Sequence, residues 1–81
     1  MERNLGVIAR EIDKDWKKVN FAARPYLNAM YYLNKITDSY GLDSGRYIVL
    51  TFLNNASTWE GETARKIKAE LKQMLKQFII S

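Results

Sequence analysis

The chain has 81 residues and contains no cysteine and no histidine; its thirteen basic and nine acidic side chains give a net charge of +4. This length predicts one domain with a small core, because such a chain buries only about 60% of the surface that it exposes when unfolded. The missing residue types exclude disulfides, most zinc sites and every nucleophile that depends on cysteine or on a histidine base.

The first helix is predicted over residues 4–18. Its apolar residues recur at helical spacing. They are Leu5, Ile8, Ile12, Trp16 and Val19. The other face carries a basic row, diluted by acidic neighbours, of Arg3, Arg10, Lys14 and Lys17. Gly6 should make the first turn easy to fray, because glycine is a poor helix former.

The second helix is predicted over residues 25–37. Pro25 suits its first turn, because that turn does not need the missing N–H. The apolar residues again follow a helical period: Leu27, Met30, Leu33 and Ile36. The next segment, residues 38–45, is rich in Asp, Ser and Gly and is predicted to be a loop.

Residues 46–53 are compatible with either a strand or a helix. Their β-branched and aromatic side chains favour a strand, but no other segment reads as a strand with which they would pair. Asp43 or Ser44 also offers a helix N-cap. We therefore predict a buried third helix over residues 44–55.

The fourth helix, predicted over residues 59–78, has the clearest pattern in the chain. One face carries Ile67, Leu71, Met74, Leu75 and Phe78. Four helices with short connections predict an all-α fold. We expect a compact bundle or orthogonal array in a single domain, residues 1–81, with the third helix at its centre.

The entrance to this last helix reads Ser-Thr-Trp-Glu-Gly-Glu-Thr-Ala-Arg over residues 57–65. Ser57 and Glu60 fit a capping box. Capping and packing explain most of the segment, but glycine within a helix is unfavourable. Gly61 therefore indicates either a later helix start or another backbone lying close. Trp59 beside it would pack on the third helix or contact a partner.

A binding site is the alternative explanation of this entrance. The free N–H groups at a helix start can hold a phosphate-like anion. Thr63, Arg65 and Arg24 would assist, and the site would then sequester a nucleotide-like ligand. The carboxylates of Glu60 and Glu62 oppose this hypothesis unless they point away.

A basic stripe on the last helix offers a different function. Arg65, Lys68, Lys72 and Lys76 share one face by their spacing, and such a row can follow a nucleic-acid backbone. It is more often a solvated surface. No helix-turn-helix signature accompanies it, so nucleic-acid binding is the lesser alternative.

Aromatic residues are concentrated in the middle of the chain. Seven of the ten are Phe21, Tyr26, Tyr31, Tyr32, Tyr40, Tyr47 and Phe52. Tyr31 and Tyr32 diverge by about 100° on a helix, so at least one should be exposed or lie in an interface. Partial burial at the core edge is the alternative for any single tyrosine. The apolar tail of residues 78–80 should also need a partner or a second copy to cover it.

Catalysis is not indicated. The pairs Asp38 with Asp43 and Glu60 with Glu62 lack the surroundings of a glycosidase or a metal site. The Gly-x-x-x-Gly spacing at residues 41–45 lacks the Lys and Ser or Thr of a phosphate loop. We predict that the protein is not an enzyme and has no catalytic, cofactor or metal site.

Three stretches carry a resemblance to known proteins: residues 15–30, 43–53 and 55–71. They resemble a group of small proteins encoded by phages, prophages and other mobile elements of gut Gram-positive bacteria. The resemblance implies a setting in which small accessory proteins bind and inhibit, or redirect, a host protein, including defence proteins.

Together these observations favour a small helical protein-binding module that also self-associates as a homo-oligomer. No segment is apolar over the roughly 20 residues of a membrane helix, and the N-terminal residues lack the apolar region of a signal peptide. We therefore expect the protein to stay in the cytoplasm of its bacterial host and not to enter a membrane.

Overall fold

The computed structural model describes residues 3–80, with the side chains of residues 78–80 outside the described part. It is mostly helical there, with α1 at Leu5–Asp15, α2 at Arg24–Met30, α3 at Gly45–Asn54 and α4 at Glu62–Ile80. Two short antiparallel strands, β1 at Ser39–Tyr40 and β2 at Asp43–Ser44, precede α3. The predicted four helices are confirmed, and the all-α description fits apart from this small sheet, which was not predicted.

The core is built from the apolar stripes that the sequence predicts. α1 packs against α2 and α4, and α3 packs against α2, α4 and β2. The predicted apolar positions of residues 5–16, 27–36 and 67–75 are all buried. Val19 is partly buried and packs against this core. Periodicity thus identifies the inward face of α1, of α2 with the turns behind it, and of α4.

The ambiguous segment is a helix, as predicted. α3 begins after Ser44, whose side-chain oxygen accepts a hydrogen bond from the Tyr47 backbone N–H at 3.1 Å. Ile48, Val49 and Phe52 are buried on its inner side. The N-cap and the absence of a suitable partner strand therefore prevail over β propensity.

The β-hairpin replaces the predicted loop of residues 38–45. Tyr40 faces Asp43 across it, which leaves Gly41 and Leu42 as a two-residue turn. Gly41 has φ +64°, and no described residue other than glycine has a positive φ. A positive φ at the first turn position alone is typical of a type II′ turn, whose twist matches the twist of paired strands.

α2 is shorter than predicted and ends at Met30. Beyond it the chain forms tighter turns, in which Tyr32 N–H bonds to Ala29 O and Leu33 N–H to Met30 O. The carbonyls of Leu33 and Asn34 then accept hydrogen bonds from α1. Because these carbonyls bind α1 and not the N–H groups four residues further on, the helix does not continue to residue 37.

The start of α1 is held firmly, which corrects the expectation that Gly6 frays it. The N–H groups of Leu5 and Gly6 donate to Asn34 O and Leu33 O, each at 3.0 Å. A methyl group on Gly6 would lie 3.1 Å from the carbonyl oxygen of Tyr31. Glycine therefore permits the close approach of the segment that follows α2.

α1 also ends earlier than predicted, at Asp15 rather than near residue 18. Trp16 has an extended backbone, with φ −93° and ψ 92°, and its N–H still bonds to Ile12 O at 2.7 Å. This turn out of the helix places the Trp16 ring against Phe52, with 6.1 Å between ring centroids.

Candidate functional site

Trp59, the first residue of the candidate site, belongs to the core. Only 2% of its surface is exposed. Its ring stacks on Trp16 with a centroid distance of 5.8 Å and meets Phe52 edge-on at 6.4 Å. Its indole N–H donates to an Asp15 carboxylate oxygen at 2.8 Å. The packing explanation is therefore the one that the structure supports, and Trp59 is not on the surface for a partner.

Gly61 sets the late start of α4. Its φ is +113°, a conformation that side-chain-bearing residues rarely adopt, and its carbonyl accepts the hydrogen bond from Arg65 N–H at 3.0 Å. No atom lies within 4 Å of the position that a Cβ would take, so no second backbone requires the glycine. Because α4 begins at Glu62, the capping box predicted at Ser57 and Glu60 is wrong.

The basic stripe is not uniform. The Lys68 ammonium donates to the carbonyl oxygen of Trp59 at 2.6 Å and lies 5.8 Å from the centre of its ring. Burial lowers the pKa of Lys68, and the charge of Lys72 lowers it further, against an opposing effect of Glu60. Lys68 thus secures the turn before α4, while the predicted neighbours Arg65, Lys72 and Lys76 are exposed.

The predicted anion site lies beside an acidic groove. A groove of about 280 Å³ next to the start of α4 is lined by Glu11, Lys14, Asp15 and Thr63. Arg24, which was expected to assist at the anion site, instead forms an ion pair with Asp13 on α1. Two carboxylates and one ammonium line the groove, which is a poor arrangement for holding an anion.

Arg24 and Tyr31, two of the predicted contact residues, meet at Asp13. The Arg24 guanidinium lies 3.0 Å from one carboxylate oxygen, and the Tyr31 hydroxyl donates to the other at 2.6 Å. Burial raises the pKa of Asp13, but the hydrogen bonds from Tyr31 and Arg24 and the Arg24 charge outweigh it and lower the pKa. The pKa of Tyr31 is raised, chiefly by its hydrogen bond to Asp13. These polar groups join α1 to α2.

A second cavity lies near the start of α1. It has a volume of about 460 Å³ and a buried apolar floor, and its lining residues are Arg3, Asn4, Leu5, Asn34, Lys35, Ile36 and Met74. Arg3 is already bound by two carboxylates, those of Glu70 and Glu11. These hydrogen bonds raise the pKa of Arg3. The guanidinium therefore ties α1 to α4.

The remaining tyrosines lie at the surface, where Tyr26 is half-buried against the core and Tyr32, Tyr40 and Tyr47 are exposed. We define the aromatic face as Tyr26, Tyr32, Tyr40, Leu42, Tyr47 and Leu50. The rings of Tyr32 and Tyr40 are stacked, with 5.2 Å between centroids and 16° between planes. Tyr26 and Tyr47 meet edge-on at 6.2 Å. The pKa of Tyr26 is raised, first by its hydrogen bond to Tyr47.

The two tyrosine pairs lie on neighbouring elements, because α3 packs against both α2 and β2. Tyr40 faces Asp43 across the hairpin, and the charge of Asp43 contributes to the raised pKa of Tyr26. Tyr26 contacts Tyr47, and Leu50 follows Tyr47 by three residues on the same side of α3. The face therefore draws its residues from α2 and the turn behind it, from the hairpin and from α3.

The sequence identifies only part of this face. Tyr26 and Tyr32 were among the predicted contacts, and Tyr32 is 73% exposed, as expected for one of the Tyr31–Tyr32 pair. Leu42, at 105% exposure, and Leu50, at 41%, were not predicted. Leu42 is an apolar residue that directly follows a glycine in a turn-rich segment. This position is the sequence signal from which its exposure could have been predicted.

The predicted apolar tail, residues 78–80, has side chains outside the described part, so its exposure stays a prediction. Within residues 3–80, no helix combines the length and the apolar character required to cross a membrane. Comparison with protein-family models, with curated proteins and with solved structures found no match to this chain.

Proposed function

We propose that this chain is a small helical protein-binding module and that the aromatic face is its contact surface. The observation that carries the proposal is the stacked pair Tyr32 and Tyr40 beside the fully exposed Leu42. Tyrosine is enriched in protein interfaces, where its ring supplies contact area and its hydroxyl tolerates water. Exposed apolar side chains that form a contiguous surface are typical of interaction sites.

The sequence resemblance supplies the setting of this proposal. A phage or mobile-element accessory protein in the bacterial cytoplasm would use the aromatic face to bind, and so inhibit or redirect, a host defence or housekeeping protein. The face suits such a contact because its rings are held by the hairpin and two helices. Little conformational entropy is then lost when a partner binds.

Capture from a Gram-positive host lysate tests this proposal. The wild-type chain and a Tyr32→Ser/Tyr40→Ser variant are immobilised, and bound proteins are identified by mass spectrometry. We expect a protein that is retained by the wild type and lost with the variant. A Lys72→Ser/Lys76→Ser variant, altered on the exposed side of α4, is the matched control and should retain it. The proposal fails if every captured protein binds the tyrosine variant equally well.

Nucleic-acid binding is the alternative proposal, and it rests on the exposed row of Arg65, Lys72 and Lys76. The Lys72→Ser/Lys76→Ser variant separates the two functions. If a labelled oligonucleotide shifts at low salt with the wild type and less with this variant, the basic row is the functional surface. The tyrosine variant should leave that shift unchanged.

A further inference from the structure

Tyrosine is the readily oxidised residue type that this chain presents at its described surface. The chain has no cysteine. Within the described residues, the other readily oxidised side chains are buried, with exposures of 7% or less: Trp16, Trp59, Met30 and Met74. Because the oxidation of a side chain follows its exposure, an oxidant in solution meets tyrosine rings first.

Tyr32 and Tyr40 combine exposure with direct contact between their rings. Their exposures are 73% and 45%. The ring centroids are 5.2 Å apart and the planes differ by 16°, a separation at which two rings touch. Tyr32 lies in the turn behind α2, and Tyr40 ends β1. Two separate parts of the backbone therefore hold these rings side by side while solvent reaches both.

The other tyrosines are restrained by their contacts. The Tyr31 hydroxyl donates to Asp13 at 2.6 Å. Tyr26 and Tyr47 meet edge-on, with 6.2 Å between centroids and 73° between planes, and Tyr26 also packs against the core. A ring restrained in this way is less free to turn toward a neighbouring ring than the exposed rings of Tyr32 and Tyr40 are.

We propose that Tyr32 and Tyr40 are a site of oxidative cross-linking, at which a one-electron oxidant joins the two rings as dityrosine. The oxidant is of the peroxidase class, with hydrogen peroxide as the final electron acceptor. This site does not rest on the proposed function, because the reaction requires only the two rings and the oxidant.

The reaction balances in atoms and electrons. Each phenol gives one electron and its hydroxyl proton to the oxidant, which leaves a phenoxyl radical with unpaired spin on the oxygen and on the ortho carbons. The two radicals pair to form one C–C bond between ortho carbons. Each ring then moves its ortho hydrogen to its oxygen and is aromatic again. The chain has lost two hydrogen atoms, and one hydrogen peroxide has become two water molecules.

The fold favours coupling within one chain over coupling between chains. Two reacting groups that are held together have a much higher effective concentration than groups on separate molecules. Both side chains lie at the surface, so they can turn from stacking to the edge contact that the new bond requires without disturbing the core. The bond would tie the turn behind α2 to the hairpin.

The test treats the purified full-length chain, at low concentration, with a peroxidase and hydrogen peroxide. We expect a monomer that has lost the mass of two hydrogen atoms and shows dityrosine fluorescence. Trypsin cleaves after Lys35, between the two tyrosines. Mass spectrometry should therefore find residues 19–35 joined to residues 36–46, with the link at Tyr32 and Tyr40.

Three phenylalanine variants locate the link. Tyr32→Phe and Tyr40→Phe keep a ring at each position but remove the phenol, so each should lose the joined peptides. Tyr47→Phe, which alters an exposed tyrosine of the other pair, is the matched control and should retain them. Circular dichroism verifies that all three variants fold.

Three outcomes would overturn the cross-linking site. In the first, the joined peptides persist in Tyr32→Phe. In the second, dilute chains become linked to one another and not within themselves. In the third, the oxidant modifies other residues while Tyr32 and Tyr40 stay unlinked in the wild type.

Discussion

At the scale of single residues, Asp13 has a role that the sequence does not reveal. It accepts hydrogen bonds from Arg24 and Tyr31, which are 11 and 18 residues further along the chain. The sequence identifies both donors as residues able to make contacts. It cannot identify their common acceptor, because the two groups meet only after α2 has folded back on α1.

The pKa shift of Asp13 predicts a dependence of stability on pH. The folded pKa lies below the ordinary value of 3.8, so the carboxylate stabilises the folded chain above that pH. This contribution is lost as the pH falls through the folded pKa. At neutral pH, Asp13→Asn should lower the free energy of unfolding by about 0.5–1 kcal/mol, the upper part of the range for partly exposed pairs.

Urea unfolding at neutral pH and at about pH 2 measures the difference in free energy of unfolding between the wild type and Asp13→Asn. This difference should shrink at the lower pH. Tyr31→Phe is the matched control. It removes only the hydroxyl, so it should give a smaller loss with the same direction of pH dependence. If the wild type and Asp13→Asn differed by the same free energy of unfolding at both pH values, the lowered pKa of Asp13 in the folded chain would be contradicted.

At the scale of elements, periodicity predicts which side of a helix is buried but not where the helix ends. The stripes of the first, second and fourth helices were predicted correctly from their apolar spacing. The end of α2 was not, because it depends on carbonyls that turn toward the N–H groups of Leu5 and Gly6. The start of α4 depends on the positive φ of Gly61. A later start of α4 was one of the two explanations of Gly61 that the sequence allowed.

The junction between the hairpin and α3 predicts the effect of one substitution. A methyl group on Gly45 would lie 2.7 Å from the carbonyl oxygen of Ile36 and 2.9 Å from that of Asp38. Gly45→Ala should therefore lower the free energy of unfolding by about 1–3 kcal/mol, as overpacking does in cores. Urea unfolding followed by circular dichroism measures the loss.

Gly41 provides the control for this junction. Its Cβ position is open, but its positive φ strains any side-chain-bearing residue, asparagine less than most. Gly41→Asn should therefore lower the free energy of unfolding by less than Gly45→Ala does. If the order of the two variants were reversed, the close approach of Gly45 to the segment after α2 would not be a determinant of stability.

Part of the candidate site could also be predicted from the sequence. The expectation that at least one of Tyr31 and Tyr32 is exposed holds, since Tyr32 is 73% exposed, but its helical argument does not, because both residues lie beyond the end of α2. Trp59 was assigned to the site because of its neighbours, yet it lies in the core beside Trp16. Their stacking joins residues 43 positions apart, and no local signal reports such a contact.

At the scale of the whole molecule, the two tryptophans connect three parts of the chain. Trp16 follows α1, Trp59 precedes α4, and both rings contact Phe52 of α3. Because the core contains both tryptophans, their environment should change only when the helices separate. We expect tryptophan fluorescence and helical circular dichroism to report one coincident urea transition, as in two-state unfolding.

Trp59→Phe is the control variant for this transition, because it leaves Trp16 as the only tryptophan. The transition should move to lower urea concentration and remain coincident between the two probes. Fluorescence that changes at clearly lower urea than circular dichroism would show that the aromatic cluster opens before the helices unfold.

The contact between the start of α1 and residues 33–34 has a consequence for the order of folding. The first N–H groups of α1 find backbone acceptors only on a segment almost thirty residues away. During synthesis, α1 leaves the ribosome before those acceptors exist. Its first turn then relies on the Asn4 side chain, which accepts from Gly6 N–H at 2.6 Å. The helix at the beginning of the chain is therefore completed only after α2 and the turn behind it have formed.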